Sequence, residues 1–123
     1  VDFPSSDPTR IVEHFREKFP FSLQGPVLIH EGARLLGGSF CQLGQTKGIR
    51  FTYEVGNGQI VSFYQLERSE GTPFPRPGSG RLYVGPPQGP GLVLWGDERF
   101  LYALAAELPP EDLQRLASHM RGL

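Results

Sequence analysis

The chain has 123 residues, of which 38% are hydrophobic and 20% charged, the balance of one soluble globular domain spanning residues 1–123. Lys and Arg number 12 against 13 Asp and Glu, a net charge of -1, which argues against a nucleic-acid binder with its basic face. No apolar run approaches the length of a membrane span and no secretory leader follows Val1, and a chain opening on Val rather than Met is expected to be a piece of a longer product. One cysteine rules out an internal disulfide and a zinc site built of several thiolates.

The first predicted element is a helix in "DPTRIVEHFREKF". Asp7 is a good N-cap, Pro8 suits the first helical position, and Ile11, Val12, Phe15 and Phe19 share one face. Pro20 ends it. After a linker, "VLIHEGARLLGGSF" begins the strands, with Gly37-Gly38 marking a bend or bulge. In "GIRFTYEVGNGQIVSFYQLE", Ile49, Phe51, Tyr53 and Val55 alternate with Arg50, Thr52 and Glu54, the period of a half-buried strand. Asn57-Gly58 favours a two-residue hairpin turn, which sets Val55 opposite Ile60, Phe51 opposite Tyr64 and Ile49 opposite Leu66 on one face.

Residues 68–80, "RSEGTPFPRPGSG", read as a loop. "RLYVG" is a short strand and "PPQGPG" a turn cluster. "LVLWGDERFLYALAAEL" reads as a second hairpin turning near Gly96 and Asp97, the alternating aromatics favouring strand over the competing helix. "PPEDLQRLASHMRG" is the last helix, started by Pro110, Glu111 and Asp112, with Leu113, Leu116, Ala117 and Met120 as its apolar stripe. The expected fold is α+β: an antiparallel sheet of five or six strands, with an N-terminal and a C-terminal helix packed on one face.

No constellation of catalytic residues emerges. Cys41, between Phe40 and Gln42, has no adjacent cation or helix N-terminus to lower its pKa, so it reads as a small buried apolar residue in a strand. His14, His30 and His119 show no zinc spacing, and a metal site would need His30 and Cys41 to meet in the folded chain. Ser39 has no nucleophile-elbow context, and the glycines before it lack a phosphate-loop lysine. Neither a catalytic residue nor a cofactor is predicted. Surface candidates for a ligand or partner are the loops at 72–80 and 86–91, with Phe74, Arg76, Arg81 and Trp95 as contact residues.

The patterned segments together resemble a known domain. "DPTRIVEHFREKFPF", "GARLLGGSFCQLGQTKGIRFTYEVGNGQIVSFYQL" and "GLVLWGDERFLYALAAELPPEDLQRLASHM" are similar to the extracytoplasmic C-terminal domain of bacterial transmembrane anti-sigma factors. Leu35 to Leu43, Tyr53 to Tyr64, Leu92 to Trp95 and Leu108 to Leu116 occupy the family's hydrophobic patterns. The resemblance implies a non-enzymatic sensory domain outside the cytoplasmic membrane. It would regulate an extracytoplasmic-function sigma factor through a zinc-binding N-terminal module and a membrane span that this sequence lacks. The alternative from another class is a free-standing small-ligand or metal-binding protein using Cys41 and His30.

Overall fold

The computed structural model describes residues 1–18, 27–28, 32–43, 46–56, 58–67, 83–84, 91–96 and 100–121. Along the chain run β1 (Phe3–Pro4), α1 (Pro8–His14), a 3-10 turn (Arg16–Lys18), β2 (Val27–Leu28), β3 (Arg34–Leu43) and β4 (Thr46–Val55). There follow β5 (Gln59–Glu67), β6 (Tyr83–Val84), β7 (Gly91–Gly96), β8 (Phe100–Ala106), α2 (Pro110–Ser118) and β9 (Met120–Arg121). Seven strands form one sheet in the order β1-β3-β4-β5-β8-β7-β6, with all neighbours antiparallel, and β2 pairs separately with β9. The expected α+β class is therefore observed, with the sheet as the larger part.

Both helices lie on the same face of the sheet, and two glycines seat them there. Gly38 pairs with Phe51, and a Cβ at Gly38 would run into the Ile11 side chain of α1. Gly91 pairs with Ala106, which also pairs with Val61, and a Cβ at Gly91 would lie 2.5 Å from Leu113 Cδ1 of α2. At these positions a missing side chain lets a helix approach the sheet backbone. The buried cluster takes Ile11, Val12 and Phe15 from α1, Leu113, Leu116 and Ala117 from α2, and Ile49, Phe51, Tyr53, Val61, Phe63, Val93 and Leu104 from the sheet. Removing this apolar surface from water is the main favourable term holding the layers together.

Local chemistry sets the helix ends. Asp7 Oδ1 accepts from the Thr9 N–H at 3.0 Å, and Pro8 opens α1, as the sequence predicts. The α-helix ends sooner than expected: Phe15 is its C-cap, and the chain tightens into the 3-10 turn at Arg16. Phe19 and Pro20 lie outside the described residues. His14 stacks on Phe3 at 4.1 Å between ring centroids, and Lys18 Nζ sits 5.1 Å from the centre of the Phe40 ring, tying this segment to β1 and β3. The last helix is also shorter than predicted, ending at Ser118. Met120 is buried as expected, but from β9 rather than from the helix stripe.

The first hairpin forms where the sequence places it, in a different register. Val55 pairs with Gln59, Phe51 with Phe63 and Arg50 with Tyr64. The connection therefore uses three residues, 56–58, with Gly56 at φ 57° and Gly58 at φ 85°, both in the left-handed region open to glycine. One added loop residue reverses the parity of the whole of β5. Val61 and Phe63 point into the core, while Ile60 and Tyr64 point to the other face, correcting the expectation that Phe51 and Tyr64 share a side. The second hairpin forms as expected, with β7 and β8 pairing from Gly91–Ala106 to Gly96–Leu101. Its connecting residues 97–99 lie outside the described set.

Candidate functional site

The face turned away from the helices is built from the other half of the strand alternation. Pairing across the sheet puts Ser39, Arg50, Tyr64, Ala103 and Leu94 on one rung, and Cys41, Gly48, Leu66, Leu101 and Gly96 on the next. Gly37, Thr52, Ser62, Ala105 and Leu92 form the rung on the other side of Arg50. Tyr64, Leu92, Leu94, Leu101 and Ala105 keep partial exposure, whereas Leu66 and Ala103 are buried. This face is thus mainly apolar without being closed by either helix.

The β3 and β4 part of that face is polar, with Ser39, Arg50 and Thr52 on it. Arg50 Nη2 donates to Ser39 Oγ over a long 3.4 Å, and Ser39 Oγ also accepts from the Asp2 backbone N–H at 3.1 Å. Its Nε is buried and makes no hydrogen bond. The ion pairs among the described residues are Arg34–Glu54 at 3.4 Å and Arg115–Asp112 at 3.6 Å, and neither includes Arg50. A guanidinium drawn partly out of water between Ser39 and Tyr64, with one donor sealed and unsatisfied, is unfavourable unless something compensates it.

Cys41 sits on the adjacent rung of this face. It is in a strand, as expected, but half-buried rather than fully buried. Burial pushes its thiol above the ordinary value, and the nearby Arg50 charge pulls it only partly back. The side chain is therefore a poor thiolate near neutral pH. Trp95 belongs to the opposite face, packed at 5.9 Å from Phe63 and 5.7 Å from Tyr102 between ring centroids. Cys41 and Trp95 are thus separated by the sheet. His30, Phe74, Arg76 and Arg81 lie outside the described residues. Among the described residues no group of three His, Cys, Asp or Glu is placed to hold a metal, and no helix is long and apolar enough to cross a membrane.

On the helix side, an open groove of ≈ 300 Å³ lies between the β4–β5 turn and α2, lined by Val55, Gln59, Leu108, Asp112, Arg115 and Leu116. The Arg115–Asp112 pair compensates its charges internally. Gln65 is the other buried polar residue of note, 2% exposed on the core face, with an Oε1 that accepts no hydrogen bond.

Sequence reasoning missed Arg50 and Tyr64 as site residues. The alternation places Arg50 among the polar residues of a half-buried strand, and a two-residue turn places Tyr64 on the side of Phe51. The signal that could have found them is the apolar character of both faces of β7 and β8, where Leu92, Leu94 and Leu101 alternate with Val93, Trp95 and Tyr102. Comparison with protein-family models, curated proteins and solved structures found no match.

Proposed function

We propose that the chain is a non-catalytic, signal-receiving domain: the extracytoplasmic part of a transmembrane anti-sigma factor that controls an extracytoplasmic-function sigma factor. Its effect would pass through a membrane span to a cytoplasmic module that holds the sigma factor. The anti-sigma element of this reading rests on the sequence resemblance. It is supported by where the resembling segments fall: Leu35 to Leu43 along β3, Tyr53 to Tyr64 across the β4–β5 hairpin, Leu92 to Trp95 within β7, and Leu108 to Leu116 leading into α2.

The observation that carries the binding role is the half-exposed apolar sheet face with an uncompensated Arg50. Such a surface recognises rather than reacts: it offers shape, apolar contact and one charge, beside a thiol that burial holds in its neutral form. A signal acts on such a domain by binding one of its conformations better than another.

The test is a reporter driven by a promoter of the cognate sigma factor, in cells whose full-length regulator lacks these 123 residues. The reporter is expected to lock at one level and lose its response to envelope stress. An unchanged graded response would contradict the reading.

A further inference from the structure

We propose that the groove between the β4–β5 turn and α2 binds a free apolar α-amino acid as its zwitterion, with the carboxylate on Arg115, the ammonium on Asp112 and the side chain on the apolar floor. The inference goes beyond the regulatory reading and does not depend on it.

The shape comes from the end of the core. Val55, the last residue of β4, pairs with Gln59, the first of β5, and both take the parity that faces the helices. Leu116 of α2 and Leu108 ahead of that helix line the same space as Val55 without filling it. Val55 and Leu116 are buried and Leu108 is half-buried, so the floor is apolar, while Gln59, Asp112 and Arg115 stand at the rim. The volume of ≈ 300 Å³ lies at the small end for ligand sites, about 300–1,000 Å³. It suits one small molecule and is too small for a docked helix.

The head group follows from charge. Arg115 Nη1 and Asp112 Oδ1 are 3.6 Å apart, and their side chains are 65% and 46% exposed. A pair this wet holds itself only weakly, and each end keeps bonding capacity, since a guanidinium carries several donors and a carboxylate several acceptor positions. An anion alone would add a negative charge beside Asp112, and an amine alone would add a positive charge beside Arg115. A ligand with both charges avoids either repulsion and makes two charge-assisted hydrogen bonds. In an α-amino acid both groups sit on one carbon, so they can lie alongside the close Asp112–Arg115 pair with opposite charges facing. Arg115 and Leu116 follow Asp112 by three and four residues, which puts head-group site and floor on one side of α2. Gln59 adds an amide donor and acceptor from the β5 wall.

Titration of the isotope-labelled 123-residue chain with L-leucine, followed by amide chemical shifts, tests this. Leucine should move the amides of Val55, Gln59, Arg115 and Leu116 and saturate at roughly millimolar concentration, as so small a ligand does. Isocaproate, which is leucine without its ammonium, and isopentylamine, which is leucine without its carboxylate, should each bind at least about tenfold more weakly, the effect of losing one charge-assisted hydrogen bond. Arg115→Gln should remove the advantage of leucine over isopentylamine, and Asp112→Asn its advantage over isocaproate. Gln59→Trp, at an exposed position, fills the groove and leaves the pair in place; it should weaken leucine about tenfold or more with the melting temperature kept. No shift at these amides, equal binding of the three ligands, or unchanged leucine affinity in folded Gln59→Trp would overturn the proposal. Tighter binding of a peptide amide that begins with leucine would overturn the free amino acid in favour of a chain terminus. Failure here counts against the groove, whereas an unchanged response in the reporter assay counts against the regulatory reading.

Discussion

Replacing Gly38 by Ala tests how α1 is seated on the sheet. The new Cβ would collide with the Ile11 side chain, which is 0% exposed, and would lie 3.5 Å from the Arg50 carbonyl oxygen. Overpacking of this kind costs about 1–3 kcal/mol. Removing a strand glycine returns about 0.5–1 kcal/mol, so the collision wins and a net loss is expected. Ile11→Ala alone should cost about 2–5 kcal/mol, as for other large buried aliphatic residues. In that background the collision is gone, and Gly38→Ala should turn neutral or stabilising. The double variant should therefore lose less than the sum of the singles, by about 1–2 kcal/mol, within the range seen for touching residues. Urea denaturation followed by circular dichroism reads this, with unchanged m-values showing that the denatured state is not the cause. Additivity within about 0.5 kcal/mol, the behaviour of independent sites, would refute the idea that Gly38 exists to admit Ile11.

Other outcomes follow from single side chains. Alkylation of native Cys41 should be slow near neutral pH and accelerate only above the ordinary thiol range, and Arg50→Gln should slow it further, because Arg50 is what lowers the thiol pKa; an unchanged rate in that variant would remove Arg50 from the thiol's surroundings. Gln65→Leu should be neutral or stabilise by about 1 kcal/mol, because it removes a buried oxygen with no partner; a urea midpoint showing a loss of that size would mean the amide is engaged. Burial holds the Tyr53 phenol above its ordinary range, so the unfolded chain loses this proton near pH ~10 while the native chain keeps it. Its contribution to stability is complete below that pH and is lost as pH rises toward the folded-state value. Tyr53→Phe should flatten the alkaline limb of the stability curve, and an identical limb would show that Tyr53 does not titrate differently on folding.

Much of the architecture is visible in the sequence because its local signals agree. Asp7-Pro8 places a helix start, and the alternation of Ile49, Phe51, Tyr53 and Val55 places a strand and its buried side. Gly37-Gly38 announces the bulge, seen as a register shift between Leu35 and Gly37. The β5 register was not legible, because the strand is apolar at both parities. Ile60, Tyr64 and Leu66 compete with Val61 and Phe63, and Gly56 allows a longer loop as readily as Asn57-Gly58 suggests a shorter one. The packing of Phe63 against Phe51, Trp95 and Tyr102 is a tertiary fact that no local pattern carries. The candidate site stayed hidden for the same reason. Arg50 and Tyr64 become neighbours only in the observed register, and the isolation of the guanidinium becomes visible only once the sheet is assembled. Cys41 lies in a strand, as its setting between Phe40 and Gln42 suggests, and it is half-buried rather than buried because it falls on the sheet face that neither helix covers.

The sheet has one face closed by the two helices and another that they leave uncovered, and the proposed signal-receiving role belongs to the second. Val93 and Leu94 are adjacent on β7 and point to opposite faces, Val93 being 0% exposed and Leu94 half-buried. The most direct measurement is the signal response of the proposed full-length regulator carrying Leu94→Asp, read alongside its melting temperature and compared with Val93→Asp. Val93→Asp should prevent folding, as an unpaired charge in a closed core does. Leu94→Asp should melt within a few degrees of wild type and yet lose its response to envelope stress. A folded Leu94→Asp regulator that responds as wild type would show that the uncovered face does not receive the signal.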